Sequence, residues 1–412
     1  MKIEKHLWHK IEAVLVVILV VYTMDLSVSP LRNFILNLGV IILSSFHWKR
    51  IAYVITKDKT LILLVGLACF SVFWSEFPND TFAKIQLLAR TTIFGAYLAA
   101  RYTVKDQMRI LTWAIIVAGI LSIVVCIFIP SYGIASTNNE SVWMGIFTHK
   151  QLLARTMAVG FSLVIVYIVS KDNKPWVNLS LLVIPVSLIM LSNSKSGLIL
   201  VLISIGILSI YKIAKQQSLS RLILALIMVL FTASIVFIVI DNLEFIIVDL
   251  LHKDLELNGR TPIWTLALQK IKERYWLGYG YSAFWQSHAG SYVINNTWLG
   301  LGELDPNVNP SPGTWRSHNG YIEMMAQLGI IGLAISIIHM LLLFDKTIKL
   351  LISTLTIQSL WMLEFLVFII VNNMSGTMTF LSDNIFWLIH VAVSISCCLE
   401  YSKMKININI NK

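Results

Sequence analysis

The sequence predicts an all-α polytopic membrane protein of about twelve transmembrane helices, from three observations: apolar composition, long apolar runs, and basic residues set between those runs. Of 412 residues, 57% are hydrophobic and 13% charged, which leaves more apolar surface than a soluble domain can bury. The apolar runs recur from residue 11 to residue 399. Residues 1–412 therefore read as a single membrane domain, with 241–320 as one large extracytoplasmic loop between spans 9 and 10.

Apolar runs between charged or Pro/Asn-rich breaks place spans near residues 11–24, 33–46, 61–74, 83–100, 109–129, 152–170, 176–191, 197–214, 221–240, 321–344, 350–372 and 382–399. The first three are short for a hydrocarbon core of about 30 Å, so flanking residues extend them. The N-terminus has the charge order of a signal peptide (Lys2, Lys5, Lys10, then Ile11 to Met24), but no small-residue cleavage site follows. An uncleaved first span is expected.

An even number of spans puts both termini on one side. With that side cytoplasmic, every internal segment carries Lys or Arg: Lys49 and Arg50, Arg101 and Lys105, Lys171 and Lys174, Lys212 and Lys215, Lys346 and Lys349, and Lys403 and Lys405. The orientation rule does not explain Arg32, Lys84, Arg90, Lys150, Arg155, Lys195, Lys253, Arg260, Lys270, Lys272, Arg274 or Arg316. Lys84 and Lys195, near span ends, can snorkel to headgroups. Arg90 and Arg155 lie within apolar segments, where a cation costs on the order of 2.5 kcal/mol or more unless it faces a cavity or a partner. They are expected to face an internal, anion-receiving site.

The net charge of +10 is spread between apolar segments rather than gathered on one solvated face, which excludes nucleic acid as the ligand class. Cys69, Cys126, Cys397 and Cys398 stand in apolar runs without CxxC spacing. Neither a disulfide framework nor a metal site is expected.

The outer loop begins acidic, with Asp241, Glu244, Asp249, Asp254 and Glu256, and changes at Gly259-Arg260-Thr261-Pro262. Thr261 suits an N-cap and Pro262 a first helical position. Trp264, Ala267, Leu268, Ile271 and Tyr275 then share one face, predicting an interfacial amphipathic helix with Arg260 at its start. Gly278-Tyr279-Gly280-Tyr281 adds turns, and Trp264, Trp276, Trp285, Trp298 and Trp315 give the loop an aromatic character suited to sugar rings or to a membrane interface. Of the histidines placed outside, His149 and His318 immediately precede spans. A neutral imidazole there can take a proton near neutral pH.

These residues form a recognisable set: Gly145-Ile146-Phe147-Thr148-His149-Lys150-Gln151, Ser192-Asn193-Ser194-Lys195-Ser196-Gly197, Gly259-Arg260-Thr261 with Trp264, Gly278-Tyr279-Gly280, and His318-Asn319-Gly320-Tyr321 with Leu328-Gly329 and Gly332. In order and spacing they resemble the O-antigen ligase/polymerase superfamily of bacterial membrane glycosyltransferases, and in the GIFTHK and SNSKSG forms its exopolysaccharide polymerase branch. Family members often carry Asn where Gln151 stands.

The resemblance implies a class C-like glycosyltransferase fold in the bacterial inner membrane, with an extracytoplasmic active site and no cofactor. Its donor would be a glycan on undecaprenyl diphosphate, its acceptor a hydroxyl of another lipid-linked repeat, with membrane lipids and a chain-length regulator protein as further partners. By this likeness His318 and Arg260 are catalytic. Arg90, Lys150, Arg155, Lys195 and Arg260 bind the diphosphate, while His149, Gln151, Asn319 and Tyr321 give support. The alternatives are a ligase that delivers the chain to a lipid A core, and a transporter of polysaccharide or lipid-linked glycan, although the two halves show no evident repeat. A carboxylate base in the first outer loop would fall on Asp25.

Overall fold

The computed structural model describes residues 2–24, 30–137, 140–169, 175–215, 260–297, 316–375 and 380–410. The expected span at 221–240, the acidic stretch 241–256, Asp25, Lys253, Trp298 and Trp315 lie outside the described residues.

The described residues are helical almost throughout. In order the helices are α1 (Lys2–Thr23), α2 (Pro30–Ser45), α3 (Trp48–Ile55), α4 (Lys59–Phe70), α5 (Pro78–Arg101), α6 (Val104–Phe128), α7 (Pro130–Gly133), α8 (Lys150–Val169), α9 (Pro175–Leu191), α10 (Lys195–Lys215), α11 (Arg260–Ile271), α12 (His288–Asn295), α13 (Gly320–Thr354), α14 (Ile357–Ser375) and α15 (Ile385–Ile410). Between α7 and α8 two short antiparallel strands, β1 (Ile134–Thr137) and β2 (Glu140–Trp143), pair with Ile134 opposite Trp143.

Among the described residues, five segments are long and apolar enough to cross a membrane: Val104–Phe128, Lys150–Ile168, Gly320–Thr354, Ile357–Met374 and Ile385–Asn407. The expected spans at 83–100, 176–191 and 197–214 each lie within one helix, α5, α9 and α10. The α2 and α3 helices form one apolar pair bent by 91°, and Lys59–Phe73 is a shorter apolar segment. The expected break between spans at 345–349 is helix instead. Lys349 pairs with Asp345 one turn back at 2.7 Å, a spacing that supports a helix surface, and the chain turns at Leu355, which has a left-handed φ of 46°.

Two cores organise these elements. The larger joins α1–α6, α8–α10 and α13–α15. The smaller gathers Ile263, Ala267, Ile271, Tyr279, Phe284, Trp285, Ala289, Val293, Ile294, Ile322 and Ala326, so that α11 and α12 sit over the first turns of α13. This corrects the expected face of α11. Ile263, Ala267 and Ile271 point inward, whereas Leu268 and Tyr275 are 39% and 42% exposed. Periodicity identified a face, but the covering partner is α13, and it selects a strip turned toward Ile263.

A backbone exchange fastens this small core to α13. Gly329 has φ 66° and ψ −168°, which breaks the helix. In an unbroken helix the amides of Ile330 and Ile331 would donate to the carbonyls of Ala326 and Gln327. Here they donate to Tyr275 O (2.9 Å) and Trp276 O (3.3 Å), while Ala326 O and Gln327 O accept from Tyr279 N and Gly280 N, both at 2.9 Å. A Cβ on Gly278 would stand 2.6 Å from the Gln327 carbonyl carbon, and one on Gly329 would stand 2.2 Å from Trp276 O. The two glycines are what the close approach requires.

Candidate active site

Three helix starts converge on one place: His149 and Lys150 at α8, Arg260 at α11, and His318 and Asn319 at α13. The helix dipole makes such ends favourable to anions. Each start has its own local cause. The Asn319 side chain accepts from Tyr321 N (3.0 Å) and Ile322 N (3.3 Å) as the N-cap of α13. At α8 the Gln151 amide donates to His149 Nδ1 at 3.1 Å, so Nδ1 is the bare nitrogen and Nε2 carries the hydrogen. The α11 start is tied to α13 by the Trp264 indole, which donates to Ser317 O at 2.7 Å.

The turn that holds His318 is built on a buried carboxylate. Glu323 is 1% exposed and accepts from Trp285 Nε1 (2.9 and 3.1 Å to its two oxygens), Gln327 Nε2 (3.0 Å) and Ser317 N (3.2 Å). The Ser317 hydroxyl lies 2.8 Å from Asn319 O and 3.1 Å from Glu323. Held on both sides, His318 adopts a left-handed φ of 55°, unusual for a residue with a Cβ. Sequence reasoning missed Glu323; an acid in an apolar span was the signal that could have found it.

The charges that bear on His318 are cations: Arg260, Arg155 and Arg316, beside His149. Burial first, and then those neighbours, push its pKa down to about 4, so the imidazole is neutral at neutral pH. Its Nδ1 is buried without a hydrogen-bond partner. His149 keeps an accessible edge, yet close crowding by protein, with Arg155 and Lys150, lowers its pKa as well. Burial also lowers that of Arg260.

Arg155 is 1% exposed. Its Nη2 donates to Gln151 Oε1 at 3.4 Å, and its Nε is buried without a partner. A guanidinium so enclosed gains strongly from an oxyanion able to take its remaining donors. The cluster thus combines anion donors with an adjacent neutral base.

The remaining predicted residues lie apart or in supporting places. Arg90 does not join the cluster: its Nη2 donates to both oxygens of Asp383, at 2.8 and 2.6 Å, and its Nη1 to Asn33 (3.3 Å) and Asn37 (3.1 Å). Its charge has an internal counter-ion. Lys150 is half-buried beside His149, and Lys195 is exposed at the start of α10. The Tyr321 hydroxyl donates to Ile370 O at 3.4 Å, bracing α13 on α14. Among the described residues, no group of three or more His, Cys, Asp or Glu side chains is placed to hold a metal ion.

Residues 180–337 match the family model described as O-Antigen ligase. A comparison with curated proteins gives no match. The matched segment contains Arg260 and His318, while His149, Lys150 and Arg155 precede it and reach the same place only through the fold. Over residues 180–337 the chain is similar to the O-antigen ligase family, and that match supports the O-antigen ligase/polymerase superfamily and, in general, ligase/polymerase-type glycosyl transfer.

Proposed function

We propose that the chain transfers a glycan from undecaprenyl diphosphate to a hydroxyl of another lipid-linked repeat, at the extracytoplasmic face of the bacterial inner membrane. The observation that carries this reading is a neutral imidazole, His318, with an unpartnered Nδ1, set among Arg155, Arg260 and Arg316.

Arg155 and Arg260 grip the donor diphosphate, with Lys150 at the rim; Arg90, held by Asp383, is not one of its ligands. The acceptor hydroxyl oxygen attacks the anomeric carbon, and its proton passes to His318. The bond from that carbon to the diphosphate oxygen breaks, and the electron pair leaves with the diphosphate. Preorganised guanidinium groups stabilise the charge that develops there more strongly than water does. The arriving diphosphate also offsets the cations that depress His318, so the imidazole gains basicity when the donor is in place.

Polymer growth is favoured over delivery to a lipid A core by the GIFTHK and SNSKSG forms, which resemble the exopolysaccharide branch. Donor, acceptor and membrane lipids are then the immediate partners, with a chain-length regulator as an accessory protein and both termini cytoplasmic. Analysis of carrier lipids in a strain lacking the protein tests this. Accumulated single repeats are expected, whereas long chains retained on the carrier would identify a ligase, and an unchanged lipid pool would refute glycosyl transfer.

A further inference from the structure

A polar cavity of about 290 Å³ opens where the start of α2, the second turn of α5, the Tyr281–Ser282 turn and the segment before α15 meet. Among the described residues its wall carries the cations Arg32, Lys84 and Arg316 and one carboxylate, Asp383. That carboxylate is already engaged through both oxygens by Arg90, and by the Thr91 hydroxyl at 2.5 Å. Lys84 and Arg316 therefore line the cavity with no carboxylate partner among the described residues.

The cations are placed rather than incidental. Arg32 is buried, and its Nε donates to Tyr22 O at 2.8 Å. Arg316 has no hydrogen-bond acceptor or carboxylate partner among the described residues, and its charge reaches His318. Two wall residues with side chains, Ser282 and Leu381, hold left-handed φ values of 61° and 47°, a conformation that persists only where surrounding structure enforces it. Ser282 N donates to Gln327 Oε1 at 3.1 Å, and Gln327 Nε2 donates to Glu323. The wall is thus linked to the carboxylate that positions the His318 turn.

We propose that this cavity is a second anion site, which takes an oxyanion of the acceptor glycan while Arg155 and Arg260 hold the donor's diphosphate. This inference rests on the glycosyl-transfer reading. The volume lies at the small end of ligand-sized pockets, room for a charged group and its nearest sugar rather than a whole repeat. The oxyanion is either the acceptor's carrier diphosphate or an acidic substituent on its sugars. Arg316, serving both places, sets the distance between that oxyanion and the hydroxyl presented to His318.

The test is calorimetric titration of the full chain in lipid nanodiscs with inorganic pyrophosphate and, separately, glucuronate. Lys84 is exposed, so Lys84→Glu leaves the fold intact, and Lys84→Arg serves as the charge-preserving control. Lys84→Glu should weaken one site by ~tenfold or more, Lys84→Arg should retain it, and Arg155→Gln should remove a different, pyrophosphate-binding site. Lys84-dependent pyrophosphate binding assigns the carrier diphosphate; Lys84-dependent glucuronate binding alone assigns an acidic sugar. If neither anion responds to Lys84→Glu, the cavity site is overturned. If pyrophosphate binding ignores Arg155→Gln, the donor site fails instead, independently of the cavity.

Discussion

The indole of Trp264 donates to the carbonyl of Ser317 across 2.7 Å, which ties the helix that begins at Arg260 to the residue immediately before His318. One hydrogen bond thereby links the start of the Arg260 helix to the turn that carries the His318 imidazole. Trp264→Phe keeps the ring packing and removes the donor, at a cost of about 1 kcal/mol in stability. The expected result is a modest fall in melting temperature with a disproportionate loss of kcat, read by comparing thermal unfolding and transfer rates on the same preparation.

Glu323 collects donors from Trp285, Gln327 and Ser317. Glu323→Gln replaces one acceptor oxygen by a donor and sets it against N–H groups, so at least one buried donor loses its partner. A destabilisation of about 1–3 kcal/mol follows, measurable as a lower unfolding midpoint in detergent. His318 loses its fixed turn in the same variant, and activity should fall further than stability alone explains.

Gly329 has no room for a side chain, since a Cβ would stand 2.2 Å from Trp276 O in a backbone conformation of φ 66°. Gly329→Ala should therefore release the Tyr275–Gly280 segment from α13 or shift the break, costing on the order of 2 kcal/mol or more. Faster amide exchange at Tyr279, Gly280, Ile330 and Ile331 is the direct readout.

Arg90 and Asp383 form an ion pair at 2.6 Å, with side chains 7% and 24% exposed. Removing one partner of a buried pair leaves an uncompensated charge, so Asp383→Asn should destabilise by about 3 kcal/mol or more. The double variant Arg90→Gln with Asp383→Asn should recover much of that loss. Recovery of stability in the double variant, scored by unfolding, distinguishes a structural pair from a ligand-binding arginine.

The pKa of His318, about 4 against an ordinary 6.5, fixes the sign of its pH dependence. Because the folded value lies below the unfolded one, the unfolded chain takes the proton first. The contribution of this group to stability is complete above about 6.5 and is lost as pH falls toward 4. Pyrophosphate should move the folded value upward by offsetting the arginines, and Arg155→Gln should do the same without ligand. An imidazole titration followed by NMR checks both shifts.

Much of the cluster was legible in the sequence. His149 and His318 stand just before apolar runs, Arg155 stands inside one, and Arg260 opens a helix; cations and imidazoles there have no orientation role, which singles them out. The meaning of Arg90 was not legible. Its counter-ion is Asp383, 293 residues away, and hydropathy cannot say which buried cation already has a partner. Nor could periodicity show that Ile263 rather than Leu268 would face the protein, because that depends on where α13 lies. The break at Gly329 was equally hidden, since the exchanged hydrogen bonds come from residues some fifty positions earlier in the chain.

The most direct test is glycan transfer by the purified full chain in proteoliposomes, supplied with lipid-linked donor and acceptor, with His318→Gln beside the parent protein. Polymer formed by the parent and lost in a folded His318→Gln variant that still binds pyrophosphate is the predicted result. Polymer formed at an undiminished rate by His318→Gln would contradict the assignment of the proton acceptor.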